Sequence, residues 1–181
     1  VAMTPDGVRA LVAAGHAVRV QTGAGAAIGF ADAAYREAGA EIADSPADIY
    51  RAELVVKVKE PQDSETPLLQ TGQLLFCYLH LAAEAKLAKT LIEKNVTAIG
   101  YETVTEAGGG FPLLRPMSEI AGRMAPQMGA LGLMLPYGGN GTLVAGVPGV
   151  WPARITVIGG GSVGMNAVRA AVGLGAHVRL L

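Results

Sequence analysis

The chain has 181 residues, 51% of them hydrophobic and 16% charged, with a formal net charge of −1. That balance supports a large buried core and excludes the strongly basic face that nucleic acid or an anionic membrane requires, so the expected ligand is a small molecule. A single cysteine, Cys77, cannot form an intramolecular disulfide; it sits in the apolar run LLFCYL as a small buried thiol, which fits a reducing cytoplasm.

In chain order, Thr4-Pro5-Asp6 followed by Val8, Leu11, Val12 and then Gly15 predicts a helix with an N-cap, a first-turn proline and a glycine stop. AVRVQTG alternates as a strand, Asp32 is read as the cap of a short helix ending at Gly39, and Ser45-Pro46 opens another. AELVVKV and GQLLFCYL read as strands. Residues 84–94 read as a helix with Leu87, Leu91 and Ile92 on one face, and VTAIGYE as a further strand. Strands alternating with helices, several of them continuous in apolar residues, predict parallel sheet covered on both faces, with ligands at the carboxyl ends of the strands.

The run TEAGGGFPLLRP is rich in glycine and proline, and residues 118–135 after it carry a long helical pattern through Ile120, Met124, Met128 and Leu131. A domain boundary is therefore expected near Pro116, dividing residues 1–116 from 117–181. Ala121, Gly122, Ala125 and Gly129 are small enough to let that helix pack closely across both domains. Residues 136–150 read as a connecting loop with room for one short strand, and a second βαβ unit starts at Arg154. The fold class predicted is α/β, with two Rossmann-like doubly wound parallel-sheet domains, the second truncated. Apolar residues are dispersed, and every run is broken by Gly, Pro or charge, so no transmembrane segment and no signal peptide is assigned. Val1 leads straight into a helix signal and Leu181 lies in an uncapped apolar run, so the chain reads as a fragment.

RITVIGGGSVGMNAVRAAVGLGAHVRLL holds Gly159-x-Gly161-x-x-Gly164 directly after an apolar strand and directly before a helix. Among 25 glycines the bare pattern is weak. The ordered strand, turn, helix and returning strand favour a dinucleotide site, with a tight turn, backbone near a pyrophosphate and negative charge at the helix start. The acidic residue that would bind the adenosine ribose lies about twenty residues further on, at or past Leu181, which leaves NAD and NADP unresolved by the residues themselves.

Lys57 and Lys59 stand at i and i+2 at the end of a strand pattern, just before Glu60-Pro61, and in a strand would share a face. Either can donate to an anionic oxygen in a cleft, or both can be solvated strand ends. His80 closes the next apolar strand at the equivalent end, where an imidazole can exchange a proton near neutral pH or serve only as a hydrogen-bonded strand terminus. His16 and His177 follow glycine turns and are expected to be exposed. Glu119 and Arg123, four apart on the long helix, read as a structural ion pair. Ser118 reads as that helix's N-cap and a position a cofactor could share. Tyr101-Glu102 does not separate support from function, and no metal ligand set is assigned.

Together, VAMTPDGVRALVAAGHAV, QTGAGAAIGFADAAYREAGA, VVKVKEP, GQLLFCYLHLA, RPMSEIAGRMAPQMGA and GVPGVWPARITVIGGGSVGMNA resemble the alanine dehydrogenase family across nearly the whole chain. The related transhydrogenase α chain resembles the same regions; the Lys-x-Lys-Glu-Pro and Tyr-Leu-His motifs favour the dehydrogenase, and a nucleotide-binding subunit acting with a membrane partner is the alternative. The resemblance implies reversible, NAD-dependent conversion of L-alanine to pyruvate and ammonium, in a cytoplasmic homo-oligomer that is a hexamer in the family. It matches Lys59 to the substrate lysine, which holds the carboxylate and carbonyl oxygen, and His80 to the catalytic histidine. Ser118, Ser162 and Val163 match positions that touch the dinucleotide, beside Gly159, Gly161 and Gly164. The family's substrate arginine would precede Val1, and a catalytic aspartate and the ribose acid would follow Leu181, so this chain by itself is expected to be inactive.

Overall fold

The computed structural model describes residues 1–181. They form two compact units, Val1–Val104 and Thr105–Leu181. Pro116, where the glycine- and proline-rich run predicts a boundary, stands in the first turn of a helix of the second unit.

The first unit opens with helix α1, Pro5–Ala13, capped by the Thr4 hydroxyl, which accepts from the Gly7 amide. Strand β1 (Arg19–Gln21) pairs in parallel with β2 (Glu41–Ala43), and α2 (Asp32–Glu37) crosses between them. Asp32 is the first residue of α2 rather than its cap: its carboxylate turns back and accepts from the Thr22 hydroxyl at 2.6 Å and the Gly23 amide at 2.8 Å. These two donors lower its pKa. Ser45 does cap α3 (Pro46–Ile49), accepting from the Asp48 amide. Val8 and Tyr35 are fully buried and centre a small core with Ala38 and Ala40.

The other sheet of this unit is parallel, in the order β3 (Leu54–Val56), β4 (Leu74–Cys77) and β5 (Thr97–Gly100). Helix α4, Ala85–Glu93, joins β4 to β5 and buries Leu87 and Leu91 against Val55, Leu75 and Cys77. Ile92, placed with those leucines on one face by its spacing, instead points outward and is 79% exposed. Cover was expected on both faces of the sheet. The face carrying Val55, Leu75 and Cys77 is buried, whereas Leu54, Leu74 and Ile99 on the other face remain substantially exposed. Cys77 is fully buried, and desolvation pushes its thiol up to about 12, which leaves it neutral and inert.

In the second unit, α5 (Arg115–Gly132) begins three residues before the predicted start, follows Leu114 as N-cap and receives no side-chain cap. Ser118 therefore lies inside the helix, its amide donating to the Leu114 carbonyl. Strand β6 (Arg154–Val157), helix α6 (Ser162–Gly173) and strand β7 (His177–Leu180) form the predicted parallel βαβ unit. α5 lies along α6 at Gly122, where an added Cβ would fall 2.3 Å from the Val163 carbonyl oxygen. The Glu119–Arg123 ion pair does not form; Arg123 Nε donates to Asn166 Oδ1 on α6 at 3.2 Å. No helix is long and apolar enough to cross a membrane.

Candidate functional site

β3 ends at Val56, earlier than the sequence pattern predicts, so Lys57 and Lys59 belong to the segment that leaves the strand. Their ammonium groups part company there. Lys57 Nζ meets Glu65 Oε2 at 2.5 Å, with both side chains only about one-fifth exposed. The same carboxylate oxygen accepts from the Gln62 amide, so Lys57 fastens the β3–β4 connection. Lys59 is 67% exposed and reaches Glu60 Oε1 at 2.5 Å.

The chain leaves β4 through Tyr78 and Leu79 to His80, whose φ of 50° lies in the left-handed region that a non-glycine residue enters at a cost of about 1–3 kcal/mol. Glu102, just beyond β5, offsets that cost by accepting from the backbone amides of Leu79 at 3.0 Å and His80 at 2.8 Å. Burial acts to raise the Glu102 pKa, but its own amide and those of His80 and Leu79 outweigh it, and the net shift is downward. Glu102 is thus support for the turn, which the sequence left open. The turn leaves the imidazole 53% exposed, stacked on Tyr78 with ring centroids 5.9 Å apart.

His80 Nδ1 lies 3.0 Å from Glu60 Oε2. One carboxylate, 7% exposed, therefore joins the exposed ammonium of Lys59 to the exposed imidazole of His80, drawing the ends of β3 and β4 into one cluster. Pro61 disfavours helical backbone at Glu60, and Gln62 Nε2 bonds both the Glu60 carbonyl at 2.8 Å and Oε1 at 3.3 Å. Burial alone would raise the Glu60 pKa; hydrogen bonds from Lys59, its own amide, His80 and Gln62 hold it at about 2. Glu60 is therefore ionised at neutral pH and can only accept. A recess of about 490 Å³ bordered by Glu60, Asp63, Glu84 and Lys86 includes neither Lys59 nor His80, which stand on open surface instead.

The depressed pKa has a measurable consequence. The stabilisation it confers is complete above the ordinary carboxylate value of 4.5 and is lost as pH falls toward about 2. Acid unfolding followed by circular dichroism is expected to show a stability loss in that window that shrinks in Glu60→Gln. An unchanged acid limb in the variant would contradict the assignment.

In the second unit, the glycine run between β6 and α6 has the geometry its spacing predicts. Gly159 has φ 95°, and a Cβ on Gly164 would lie 1.9 Å from the Gly159 carbonyl oxygen, so the turn is packed backbone to backbone. Gly161 caps α6 in extended conformation, with no atom within 4 Å of where its Cβ would point. The amides of Ser162, Val163 and Gly164 in the first turn of the helix have no intrahelical acceptor, which suits an anion. Ser118 stands one helical turn before Gly122 and so shares the side of α5 that meets the start of α6. A glycine-lined helix start with open space at Gly161 fits a dinucleotide pyrophosphate.

Three comparisons bear on the chain. Residues 1–121 match the family described as alanine dehydrogenase/PNT, N-terminal domain, and residues 125–181 the corresponding C-terminal domain. The chain is 56% identical over its full length to the alanine dehydrogenase of Bacillus subtilis (strain 168), of which it covers 48%. A solved L-alanine dehydrogenase superposes on 99% of the chain with a TM-score of 0.91 at 50% identity, half of that protein being covered. A transhydrogenase from Sinorhizobium meliloti matches 99% of the chain with a TM-score of 0.79 at 24% identity, a likeness of fold. The chain thus spans about half the length of the relatives it matches.

Proposed function

The chain belongs to the alanine dehydrogenase/PNT family, and from that premise we propose that it supplies the substrate-binding side chains and the start of the dinucleotide site of an L-alanine dehydrogenase. The reaction is L-alanine, NAD and water going reversibly to pyruvate, ammonium, NADH and a proton. The observation that carries this reading is the pairing of exposed Lys59 and exposed His80 on one buried carboxylate.

Lys59 presents a compact cation to the carboxylate and carbonyl oxygen of the substrate. Holding that oxygen fixes the amino-acid carbon relative to the imidazole, and such positioning contributes to rate by itself. His80 has Nδ1 committed to Glu60, so Nε2 is the nitrogen left to exchange protons. As water adds to the imine formed on oxidation, Nε2 takes a proton from the attacking water, and it returns one to the departing nitrogen. Gly159, Gly161, Ser162, Val163 and Gly164, with Ser118 beside them, would hold the nicotinamide dinucleotide, which when bound supplies the hydride acceptor. Lys57, tied to Glu65, supports the loop and takes no part.

The same reading makes the protein a cytoplasmic homo-oligomer, hexameric as in the family; its single cysteine, buried and unpaired, supports a reducing compartment. The transhydrogenase-like alternative rests on a shared fold, whereas the Lys59–Glu60–His80 cluster favours amino-acid chemistry. A full-length protein containing this segment should reduce NAD when L-alanine is added, with NADP assayed in parallel to read the nucleotide preference. Absence of any alanine-dependent reduction, together with co-purification of a membrane partner, would replace this reading with the alternative.

A further inference from the structure

Glu60 falls within the Lys-x-Lys-Glu-Pro motif, but the resemblance gives it no role of its own, and its environment is unlike that of a loop carboxylate. Its side chain is 7% exposed, whereas those of Lys59 and His80, which it joins, are both more than half exposed. Each of its oxygens has its own partner: Oε1 takes the Lys59 ammonium, with Gln62 Nε2 beside it, and Oε2 takes His80 Nδ1. We propose that Glu60 is a positioning residue for the proposed alanine chemistry, setting the ring tautomer of His80 and the reach of Lys59 through the two ends of one carboxylate.

An ionised carboxylate cannot donate, so the 3.0 Å contact requires the proton on Nδ1. In the neutral ring Nε2 is then the unprotonated nitrogen, ready to accept a proton from water, and the imidazolium formed keeps Glu60 as its counter-charge. The backbone at His80 is pinned separately by Glu102, so the ring's remaining freedom is rotation about its side-chain torsions, which the Glu60 bond removes. On the other oxygen, Lys59 is a long chain with four rotatable bonds; tethering it to a buried anchor restricts where the ammonium can be presented and lowers the ordering cost when substrate arrives. The one buried anchor thus joins two exposed groups from the segments that follow β3 and β4.

This inference rests on the alanine dehydrogenase reading, so its test separates the two. In a full-length protein containing this segment, wild type, Glu60→Gln, His80→Ala and the double variant are compared for alanine oxidation. Glutamine keeps the size but can donate as well as accept, so it neither enforces the tautomer nor holds the ammonium by charge. Glu60→Gln is expected to lower kcat at least about 100-fold, as for a carboxylate that orients a catalytic imidazole. It should also raise KM for alanine about 10-fold, the Lys59 share, with KM for NAD unchanged. The double variant should have a kcat within about threefold of His80→Ala alone, because Glu60 acts on the chemistry through His80. A Glu60→Gln protein with wild-type KM for alanine, or one whose loss simply adds to that of His80→Ala, overturns the inference while leaving the alanine reading intact. A wild type inactive on alanine overturns the reading itself.

Nitrogen-15 NMR of labelled histidine in the wild-type protein reads the tautomer without relying on activity or on the variant's folding. His80 is expected to carry its proton on Nδ1, and a neutral ring protonated on Nε2 overturns the proposal.

Discussion

His80→Ala in a full-length protein containing this segment is expected to lower kcat for alanine oxidation by about 10²- to 10⁴-fold, the usual range for loss of a general acid–base. The expectation follows from where the proton has to go. Once an imine forms, a weakly nucleophilic water must be deprotonated and the nitrogen protonated, and Nε2 of His80 is the exchangeable nitrogen that the cluster leaves free. Because Lys59 is held by Glu60 and not by the imidazole, alanine KM should change far less than kcat. The fold should survive too, since the ring is half exposed and the turn is fixed through backbone amides by Glu102. Removing a non-glycine side chain does not relieve φ 50°, so alanine keeps the strain that histidine carries. Steady-state kinetics with a thermal melt checks both halves. Turnover within a few-fold of wild type would show that another group moves the proton.

Gly164→Ala is expected to have the second large effect, this time on the nucleotide side. In a helix, glycine to alanine ordinarily gains about 1 kcal/mol. Here the added methyl would sit 1.9 Å from the Gly159 carbonyl oxygen, which belongs to backbone and cannot swing aside. Overpacking of that kind costs about 3 kcal/mol or more, so the clash wins over propensity, and the turn between β6 and α6 must open. Nucleotide affinity and melting temperature should fall together. Gly161→Ala provides the contrast. Its Cβ would point into open space, so the protein should melt within about 1 °C of wild type. It should nevertheless bind NAD more weakly, because the methyl occupies the space the pyrophosphate needs. Calorimetric titration of both variants with NAD, alongside their melts, separates a lost loop from a blocked one. A Gly164→Ala protein with unchanged melting and affinity would contradict the packing argument.

Those two sites differ in how far the sequence exposed them. The glycine motif is local: strand, turn and helix follow one another within β6 and α6, and each glycine's job depends on neighbours a few residues away, so its spacing was enough to predict the turn. The parallel α/β class was legible for the same reason, in the alternation of apolar runs with capped helices. β2 was not, because Glu41–Ala43 has Ile42 as its one large apolar residue, so no apolar run marks it as the runs around β1 and β3 do. Asp32 and Ser118 carry cap-type side chains at plausible helix starts, yet each position was decided by something else. For Asp32 this was the Thr22–Gly23 turn. For Ser118 it was a helix that starts upstream at Arg115.

The strand-end residues show the limit most clearly. Lys59 and His80 could be singled out as polar groups closing apolar strands, but the spacing alone left each as plausibly solvated as functional. What distinguishes Lys59 from Lys57 is the carboxylate each one finds, Glu60 for the first and Glu65 for the second. What joins Lys59 to His80 is again Glu60, twenty residues from the histidine in sequence. Glu102 supports the same turn from the far side, twenty-two residues away. Contacts at that separation are made by the sheet, which sets the ends of β3, β4 and β5 side by side, and no local pattern encodes them.

The most direct measurement is a crystal structure of a full-length protein containing this segment with pyruvate bound. A pyruvate oxygen is expected within hydrogen-bond distance of Lys59 Nζ and the keto carbon facing Nε2 of His80, with Glu60 still bridging the two. Pyruvate bound elsewhere, or a ring turned so that Nε2 rather than Nδ1 meets Glu60, would contradict it.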